Sequence, residues 1–538
     1  MIGVPVRGWT TALVTIVATM AMAAAGRQTS RTYQDLLTLF HEFVEFERPP
    51  VENGAPDYRA STAAARQRTL KSFQARLAQF DAKSWPIDQQ VDHALVGAMM
   101  NGLDFDLRVL RPWARDPAFY KSIWTSQSDT PAHEGPTHHA VVELWTYSFP
   151  LPAADEARLT SELRTIPPLL RQARENLTGN ARDLWVTGTG TMAGQVADLD
   201  ALAKRVSDGG PELRAALQVA RTATQDFVQW LEGQAPSKTG PSGIGKEHYT
   251  WSLRNVQLVP LSWEDEVAIL KRELARAHAS LKLEEARNRG LPLLNPAADA
   301  DEYRQRADAA VTKYIAFLRD KEILTVQDYL EPAMREHLGG YVPMARRNFF
   351  GIASHLEPMT LFAHWYHWFD HAWMKRMPHS SPIRRGATLF NVWSIRAEGM
   401  ATAMEELILQ AGYYDDNPRA REIVWIMLAQ RCARGLASLY AQANEFDIKQ
   451  AKAFQVEWTP RGWMRPDLDL LDFEQQLYLR QPGYGTSYVT GKYLIDELIK
   501  DRAHQVGDSF TLRRFFDEFN AAGVIPVPLI RWELTGRR

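Results

Sequence analysis

Apolar side chains recur with the period of an α-helix along most of the chain. In residues 264–289, Val267, Leu270 and Leu274 fall on one stripe, with lysine and glutamate on the opposite face. Strand signals are few and short, and residues 341–350 are the best candidate for a hairpin or a loop. The pattern therefore predicts an all-α fold with only minor short strands. The same period predicts helices over residues 32–47, 61–80, 301–320, 398–412 and 418–443.

A stretch rich in glycine and proline interrupts the helical pattern at residues 233–246. These residues at such density do not sustain a helix, so the stretch is expected to be a linker. It would separate an N-terminal helical lobe, residues 26–232, from a C-terminal helical lobe, residues 247–538. A central cleft between two such lobes is a natural position for a ligand. The sequence thus predicts a two-lobed architecture.

The first residues have the pattern of a secretory signal peptide. Arg7 precedes a mostly apolar run at residues 9–22, and a run of alanines ends at Ala25. The apolar run is too short to span a bilayer comfortably, and the alanines suit signal peptidase. An uncleaved anchor is the alternative. We expect residues 1–25 to be a signal peptide and the mature protein to be periplasmic or secreted, without stable membrane insertion.

Composition excludes several classes of protein. The 62 basic and 64 acidic residues leave a formal net charge of -2, so no basic excess indicates nucleic-acid binding. The single cysteine, Cys432, excludes an intrachain disulfide and a zinc site built from several thiolates. No cysteine follows the N-terminal apolar run, so a lipoprotein anchor is not expected. The sequence does not indicate an oligomeric state.

Residues 364–371 contain three histidines at helical spacing. On an α-helix His364, His367 and His371 fall at positions i, i+3 and i+7 and share one face. Two imidazoles one turn apart can bind one zinc ion, and Glu398 is the best candidate for a further ligand. The segment is also rich in aromatic residues, so packing of the histidines in a core is the competing interpretation. For Glu398 the alternative role is a favourable interaction with the helix dipole, since it opens a predicted helix.

Other segments resemble a known family. Residues 398–405 keep the opening Glu-Gly, an Ala and the closing Glu of the pattern Glu-Gly-Trp-Ala-Leu-Tyr-Ala-Glu. Residues 482–491 keep Pro-Gly, Tyr and Gly of the pattern Pro-Gly-Gln-Ala-x-x-Tyr-x-x-Gly. Both resemble the bacterial family catalogued as domain of unknown function 885, whose fold resembles helical zinc peptidases. The resemblance covers most of the mature chain and implies a zinc-dependent hydrolase of peptide-like substrates.

The chain departs from this family at polar positions. The family segment His-Glu-x-x-Pro-Gly-His-His corresponds to residues 364–371, where Trp365 replaces the Glu that would activate water. Asp370 replaces a histidine, and Leu477 stands where an arginine is usual. An indole cannot accept the proton of the attacking water. The resemblance therefore implies a degenerate His-Glu motif and a peptidase activity that is weakened or lost.

The resemblance also implies roles for the candidate residues. Asp370 could act as the base only if its helix turned it toward the metal, and Tyr488 could stabilise an oxyanion. The competing class is a non-catalytic protein that binds a peptide or another small ligand in the same cleft. The implied zinc ligands are His364, His371 and Glu398, with His367 as a substitute or auxiliary ligand.

Overall fold

A computed structural model describes residues 31–538, so the expected signal peptide at residues 1–25 lies outside the described residues. The described chain is mainly helical, which confirms the predicted fold class. The helices that precede residue 240 are α1 (Tyr33–Glu47), α2 (Ala60–Leu77), α3 (Ile87–Phe105), α4 (Pro112–Arg115), α5 (Ala153–Leu163), α6 (Ile166–Asn176), α7 (Arg182–Arg205) and α8 (Pro211–Gln234).

The remaining helices form the C-terminal part of the chain. They are α9 (Lys246–Asn255), α10 (Trp263–Arg287), α11 (Ala300–Asp320), α12 (Leu330–Arg335), α13 (Phe349–Leu356), α14 (Met359–Phe362), α15 (Tyr366–Arg376), α16 (Ser394–Gln410), α17 (Pro418–Gln442), α18 (Ile448–Trp458), α19 (Leu470–Arg480), α20 (Tyr484–Val506), α21 (Leu512–Ala521) and α22 (Val527–Thr535).

Strands are short in the described part of the chain. Strands β1 (Val51–Glu52) and β2 (Ala55–Pro56) pair in antiparallel fashion. Strands β3 (Ile123–Trp124) and β4 (Val142–Glu143) pair in parallel. Two-residue pairs of this kind hold loops together and contribute little core.

Side-chain caps fix where three helices begin, and two of these starts lie where the periodicity predicts. Thr32, Ser262 and Asp447 each accept a hydrogen bond from the backbone three residues later, and the side chain there bonds back. This reciprocal arrangement satisfies two backbone donors that the first helical turn leaves free. Helix α10, predicted at residues 264–289, therefore begins at Trp263.

The candidate hairpin at residues 341–350 is a loop. It contains one 3-10 turn, Met344–Arg346, and α13 begins at Phe349. The backbone N–H of Val342 donates to the His355 side chain at 2.9 Å, and Pro343 has no N–H to donate. These groups cannot join a strand ladder, so the hairpin alternative is wrong.

One buried hydrophobic cluster includes residues from both sides of the predicted linker, from Leu36 to Trp532. The linker region is irregular between a 3-10 turn, Ala235–Ser237, and the start of α9. The division into two lobes at residues 233–246 stays a prediction. Within residues 31–538, no helix is both long and apolar enough to cross a bilayer.

Helices α16 and α17 are buried on almost every side. A helix of that kind normally carries apolar residues all round, but these two also carry charged side chains. Arg396 and Glu398 of α16, and Arg431 and Arg434 of α17, are each no more than 2 % exposed. A buried charge is tolerated only when a partner is present, so these residues must pair within the core.

A glycine contact sets the distance between α16 and α20. A Cβ atom on Gly399 would lie 2.5 Å from the Cα atom of Gly491, and a Cβ on Gly491 would meet the Ile395 carbonyl. The two backbones can approach this closely only because neither residue has a side chain. The contact holds Glu398 of α16 opposite the first turns of α20.

Replacing Gly399 with alanine should destabilise the protein by about 1–3 kcal/mol, because the methyl group would overlap the α20 backbone. Gly194→Ala is the matched control, since a Cβ there has no neighbour within 4 Å. That helical substitution should stabilise the protein by about 0.5–1 kcal/mol. Urea unfolding measures both, and a Gly399→Ala variant as stable as the native chain would contradict the close approach.

Candidate metal centre

His364 and His367 lie on either side of a change in helical geometry. His364 belongs to the 3-10 turn Ala363–Trp365, and His367 lies in the first turn of α15. The tighter 3-10 winding brings side chains three residues apart nearly into register. Both imidazoles therefore face the same side, toward α16.

The two imidazoles converge on one carboxylate. The Nε2 atom of His364 and the Nε2 atom of His367 each lie 3.2 Å from Oε2 of Glu398. One ligand atom from each residue lies within 4.8 Å of the others. Exposure is 8 % for His364 and 1 % for both His367 and Glu398, so the group is almost closed to solvent.

Electrostatics couple the three groups when no metal is present. Burial alone would lower the pKa of His367, but the Glu398 carboxylate outweighs it and raises that pKa to about 9. Burial alone would raise the pKa of Glu398, but the His367 charge and hydrogen bonds from both imidazoles hold it well below its usual range. The metal-free group is thus a buried ion pair.

A second carboxylate lies behind His364. Oε1 of Glu405 is 3.0 Å from Nδ1 of His364, and Arg431 forms a buried ion pair with the same carboxylate. Arg431 Nη2 is also 3.1 Å from this Nδ1, so the ring nitrogen can either donate to Glu405 or accept from Arg431. The first alternative leaves the Nε2 lone pair of His364 free for a metal ion.

His371 is not brought to this group. Its Nε2 atom is 3.0 Å from the carbonyl oxygen of Asp129, and its ring stacks on Trp368. The expectation that His364, His367 and His371 share one face assumed a continuous α-helix. The 3-10 turn at His364 breaks that face, so the structure groups His364 with His367 instead.

Asp370 is also directed away from the three candidate ligands. One of its carboxylate oxygens is 2.5 Å from Nη1 of Arg396, and both residues are 1 % exposed. Arg396 also donates to the Asn520 side chain at 2.9 Å. The expected condition for Asp370 to act as a base, that its helix turn it toward the metal, is not met.

Tyr488 and Trp365 have contrasting positions. The Tyr488 ring stacks on the His364 ring with centroids 5.8 Å apart. The guanidinium carbon of Arg434 lies 3.8 Å from the centroid of the same Tyr488 ring. The Tyr488 ring is therefore adjacent to the group, and its expected role in stabilising an oxyanion stays a prediction. The Trp365 indole stacks on Phe362 at 3.8 Å and supplies no carboxylate.

Two further residues reach the site that sequence analysis did not identify. The Tyr484 hydroxyl contacts Oε1 of Glu398 and lies 2.6 Å from Oε1 of Glu134. Tyr484 is within the recognised motif at residues 482–491, so the motif could have indicated it. Glu134 is in a loop of the N-terminal half, where no local pattern distinguishes it.

Tyr484 has one proton for two carboxylates. If its hydroxyl donates to Glu398, the contact with Glu134 requires Glu134 to carry a proton. Burial, followed by the charge of Asp129, raises the pKa of Glu134 to about 8, in agreement with this hydrogen-bond count. The site therefore extends from the His-Glu group through Tyr484 to the N-terminal half.

Comparison with known proteins places this fold in a bacterial family. The sequence pattern described as "Bacterial protein of unknown function (DUF885)" matches residues 47–343 and 367–534. The chain belongs to the DUF885 family, which confirms the resemblance seen in the sequence. The interval at residues 344–366, which carries His364 and Trp365, falls between the two matched segments.

Two of the solved structures with this fold are described as putative lipoproteins. One, of unknown function from Shewanella oneidensis, is 16% identical with a TM-score of 0.67, covering 93% of this chain and 97% of that chain. The other, from Colwellia psychrerythraea, is 14% identical with a TM-score of 0.62, covering 94% and 99%. At such identities the likeness shows the fold alone. No protein with a curated description matches the sequence.

Glu134→Gln should alter how stability depends on pH. The raised pKa of Glu134 means that the folded protein holds a proton that the unfolded chain releases, so stability falls as pH rises from about 4.5 to about 8. Glutamine carries no titrating proton and removes that loss. In urea unfolding at pH 5 and pH 8, the free energy of unfolding of Glu134→Gln should therefore change less with pH than that of the native protein. Glu264→Gln, at an exposed position, is the control. Parallel profiles for native and Glu134→Gln proteins would contradict the shared-proton arrangement.

Proposed function

We propose that this chain is an exported, zinc-binding, metallopeptidase-like protein whose hydrolytic activity on peptide-like substrates is weak or lost. The observation that carries the proposal is the convergence of His364, His367 and Glu398, whose ligand atoms lie within 4.8 Å of one another. Family membership supplies the helical scaffold but no activity.

The donor set fits zinc. Two imidazole nitrogens and one carboxylate oxygen form the ligand set of one class of catalytic zinc sites, in which a fourth position remains open. Zinc–ligand bonds of about 2 Å at tetrahedral angles place two donor atoms roughly 3.3 Å apart. The two nitrogen–oxygen distances of 3.2 Å agree with that spacing.

The residues around the two imidazoles fit a zinc site in part. Glu405 behind His364 is the kind of carboxylate that orients a metal-binding imidazole. Nδ1 of His367 is buried and has no hydrogen-bond partner among residues 31–538, so the second imidazole lacks this support. A bound zinc ion would polarise a substrate carbonyl, and the protein would have to accept the proton of the attacking water.

No residue of the α15 segment is placed to accept that proton. Trp365 occupies the position of the usual Glu, and Asp370 is engaged by Arg396. Loss of a general base costs about 10²–10⁴ in rate. This arrangement supports weak or absent turnover with retention of the metal-binding group.

A non-catalytic binding protein is the second candidate. Glu398 is 1 % exposed, and the Tyr484 hydroxyl occupies the Glu398 oxygen that faces away from the imidazoles. Burial of this kind favours a stabilising polar group over an open catalytic site. A peptide-like ligand would then bind in the predicted cleft between residues 26–232 and 247–538, with the fold retained and the chemistry absent.

Export rests on the N-terminal segment, where an apolar run ends at Ala25. The similar structures from Shewanella and Colwellia are themselves described as putative lipoproteins, which supports an envelope or extracellular location. N-terminal sequencing of exported protein should begin at or near Gly26, and an intact Met1 in the membrane fraction would refute cleavage.

Zinc binding should depend on His367 and not on His371. After equilibration with zinc and dialysis, plasma mass spectrometry should find about one ion per native chain, as one four-coordinate site requires. His367→Gln should abolish this stoichiometric binding, whereas His371→Gln should retain it. Glu405→Gln should weaken affinity about 10–100-fold, as expected for an outer carboxylate. Zinc-free native protein, or equal loss in the His371 variant, would contradict the assigned ligands.

Restoring a carboxylate at residue 365 should raise peptidase activity. Trp365→Glu is expected to increase chelator-sensitive hydrolysis of a peptide mixture by up to about 10²–10⁴ over the native chain. Glutamine has the size of glutamate but no charge, so Trp365→Gln is the control for loss of the indole. Robust chelator-sensitive hydrolysis by the native protein would overturn the proposal of weakened chemistry.

A further inference from the structure

A separate cavity of about 280 Å³ lies outside the His-Glu group. It is bounded by residues from the N-terminal half and from the C-terminal half, including Asp106, Phe390 and Gln481. Pockets for small molecules begin at about 300 Å³, so the cavity suits a small ligand. A smaller cavity shares several of its wall residues, among them Glu47 and Asp106.

Two carboxylates, Glu47 and Asp106, face this cavity, and Asp106 has no ion-pair partner among residues 31–538. The Asp106 side chain has no hydrogen-bond partner among residues 31–538, although its backbone carbonyl accepts from Arg111. Burial, and then the charge of Glu47, raises the pKa of Asp106 to about 7. The ionised form of Asp106 beside Glu47 is therefore unfavourable, and a bound positive charge would stabilise it.

Neither nearby arginine forms an ion pair with Asp106. Arg66 donates to the backbone carbonyls of Phe46 and Glu47, although its charge partly offsets that of Asp106. Arg480 forms a buried ion pair with Asp116 at 2.6 Å.

The histidines around the cavity do not supply the missing charge to Asp106. His139 Nε2 is 3.1 Å from Oε1 of Glu47, and His133 Nε2 is 2.8 Å from Oε1 of Glu143. Burial lowers the pKa of His138 to about 3, so that imidazole is neutral. Asp106 therefore remains the acceptor that lacks a partner.

Unusual backbone conformations surround the same carboxylate. Asp106 begins a π-helical turn, Asp106–Leu110, and such turns occur frequently at functional sites. On the facing wall, Phe390 and Asn391 have φ angles of 56° and 52°. Residues other than glycine in this region are strained, and strain of this kind clusters at ligand sites.

The aromatic wall is held in place by a close contact. A Cβ atom on Gly102 of α3 would lie 2.5 Å from the Phe390 side chain, so glycine is needed for Phe390 to approach. Phe105, one turn further along α3, also lines the cavity. The cavity thus combines an unpaired carboxylate with apolar aromatic surface.

We propose that this cavity binds a small organic cation, with its ammonium group at Asp106 and Glu47 and its apolar body against Phe105 and Phe390. The ammonium group supplies the positive partner that Asp106 lacks, and its N–H groups give charge-assisted hydrogen bonds to both carboxylates. An aromatic ring also attracts a neighbouring cation. The site goes beyond the proposed zinc function and requires no metal.

The test uses three probes of similar size and different charge. Binding of 2-phenylethylamine, 2-phenylethanol and 3-phenylpropanoate is measured by isothermal titration calorimetry on chelator-treated full-length protein. The amine should bind at least about tenfold more tightly than the alcohol, the lower limit for hydrogen bonds to a charged group. The carboxylate should bind most weakly. An amine that does not bind at millimolar concentration, or binds no better than the alcohol, overturns the proposal.

Asp106→Asn should weaken amine binding at least about tenfold and leave alcohol binding unchanged, because only the charge-assisted contact is lost. The control is Asp104→Asn, two residues earlier on α3, whose carboxylate pairs with Arg108 at 3.0 Å outside the cavity wall. Asp106→Asn should fold, since its carboxylate has no described partner to lose, and circular dichroism checks this. Equal amine affinity in native and Asp106→Asn proteins would also overturn the assignment.

A second variant, Glu47→Gln, keeps the test decisive if Asp106→Asn fails to fold. It should reduce the preference for the amine over the alcohol, and an unchanged preference would remove Glu47 from the site. Failure of zinc binding in the earlier experiment leaves these expectations intact, because the calorimetry is performed without metal.

Discussion

The contact between Gly399 of α16 and Gly491 of α20 is the constraint on which the rest of the site depends. It allows two backbones to touch where any side chain would separate them. The consequence is that Glu398, next to Gly399, meets the hydroxyl of Tyr484 at the start of α20. Tyr488, one turn further along, then lies over His364. A wider spacing between these helices would separate Glu398 from Tyr484.

Buried charge organises the helices around that contact. Asp370 pairs with Arg396, and Arg431 pairs with Glu405. Removing one partner of a buried pair typically costs 3–5 kcal/mol, because the other charge is left uncompensated. The carboxylate of Asp370 therefore has a structural partner that keeps it from the group of His364, His367 and Glu398. The same requirement for pairing explains why the unpaired Asp106 stands out in the N-terminal half.

The family match includes His367 and Glu398 but not His364. The DUF885 pattern covers most of the chain, and structures at 14–16% identity keep the fold. The interval between the matched segments contains the 3-10 turn that carries His364 and Trp365. In that interval the Trp365 indole packs on Phe362.

The sequence by itself determined the helices, the family and the proximity of His364 and Glu398, because periodicity, caps and motifs are local properties. It did not determine which histidine joins His364, since a 3-10 turn replaced the continuous helix that would have selected His371. The sequence also did not identify Glu134 or Asp106 as candidate site residues. Their surroundings come from segments more than 200 residues away, such as Tyr484 and Phe390. Only tertiary packing decides such contacts, because burial and neighbouring charge arise when distant helices meet.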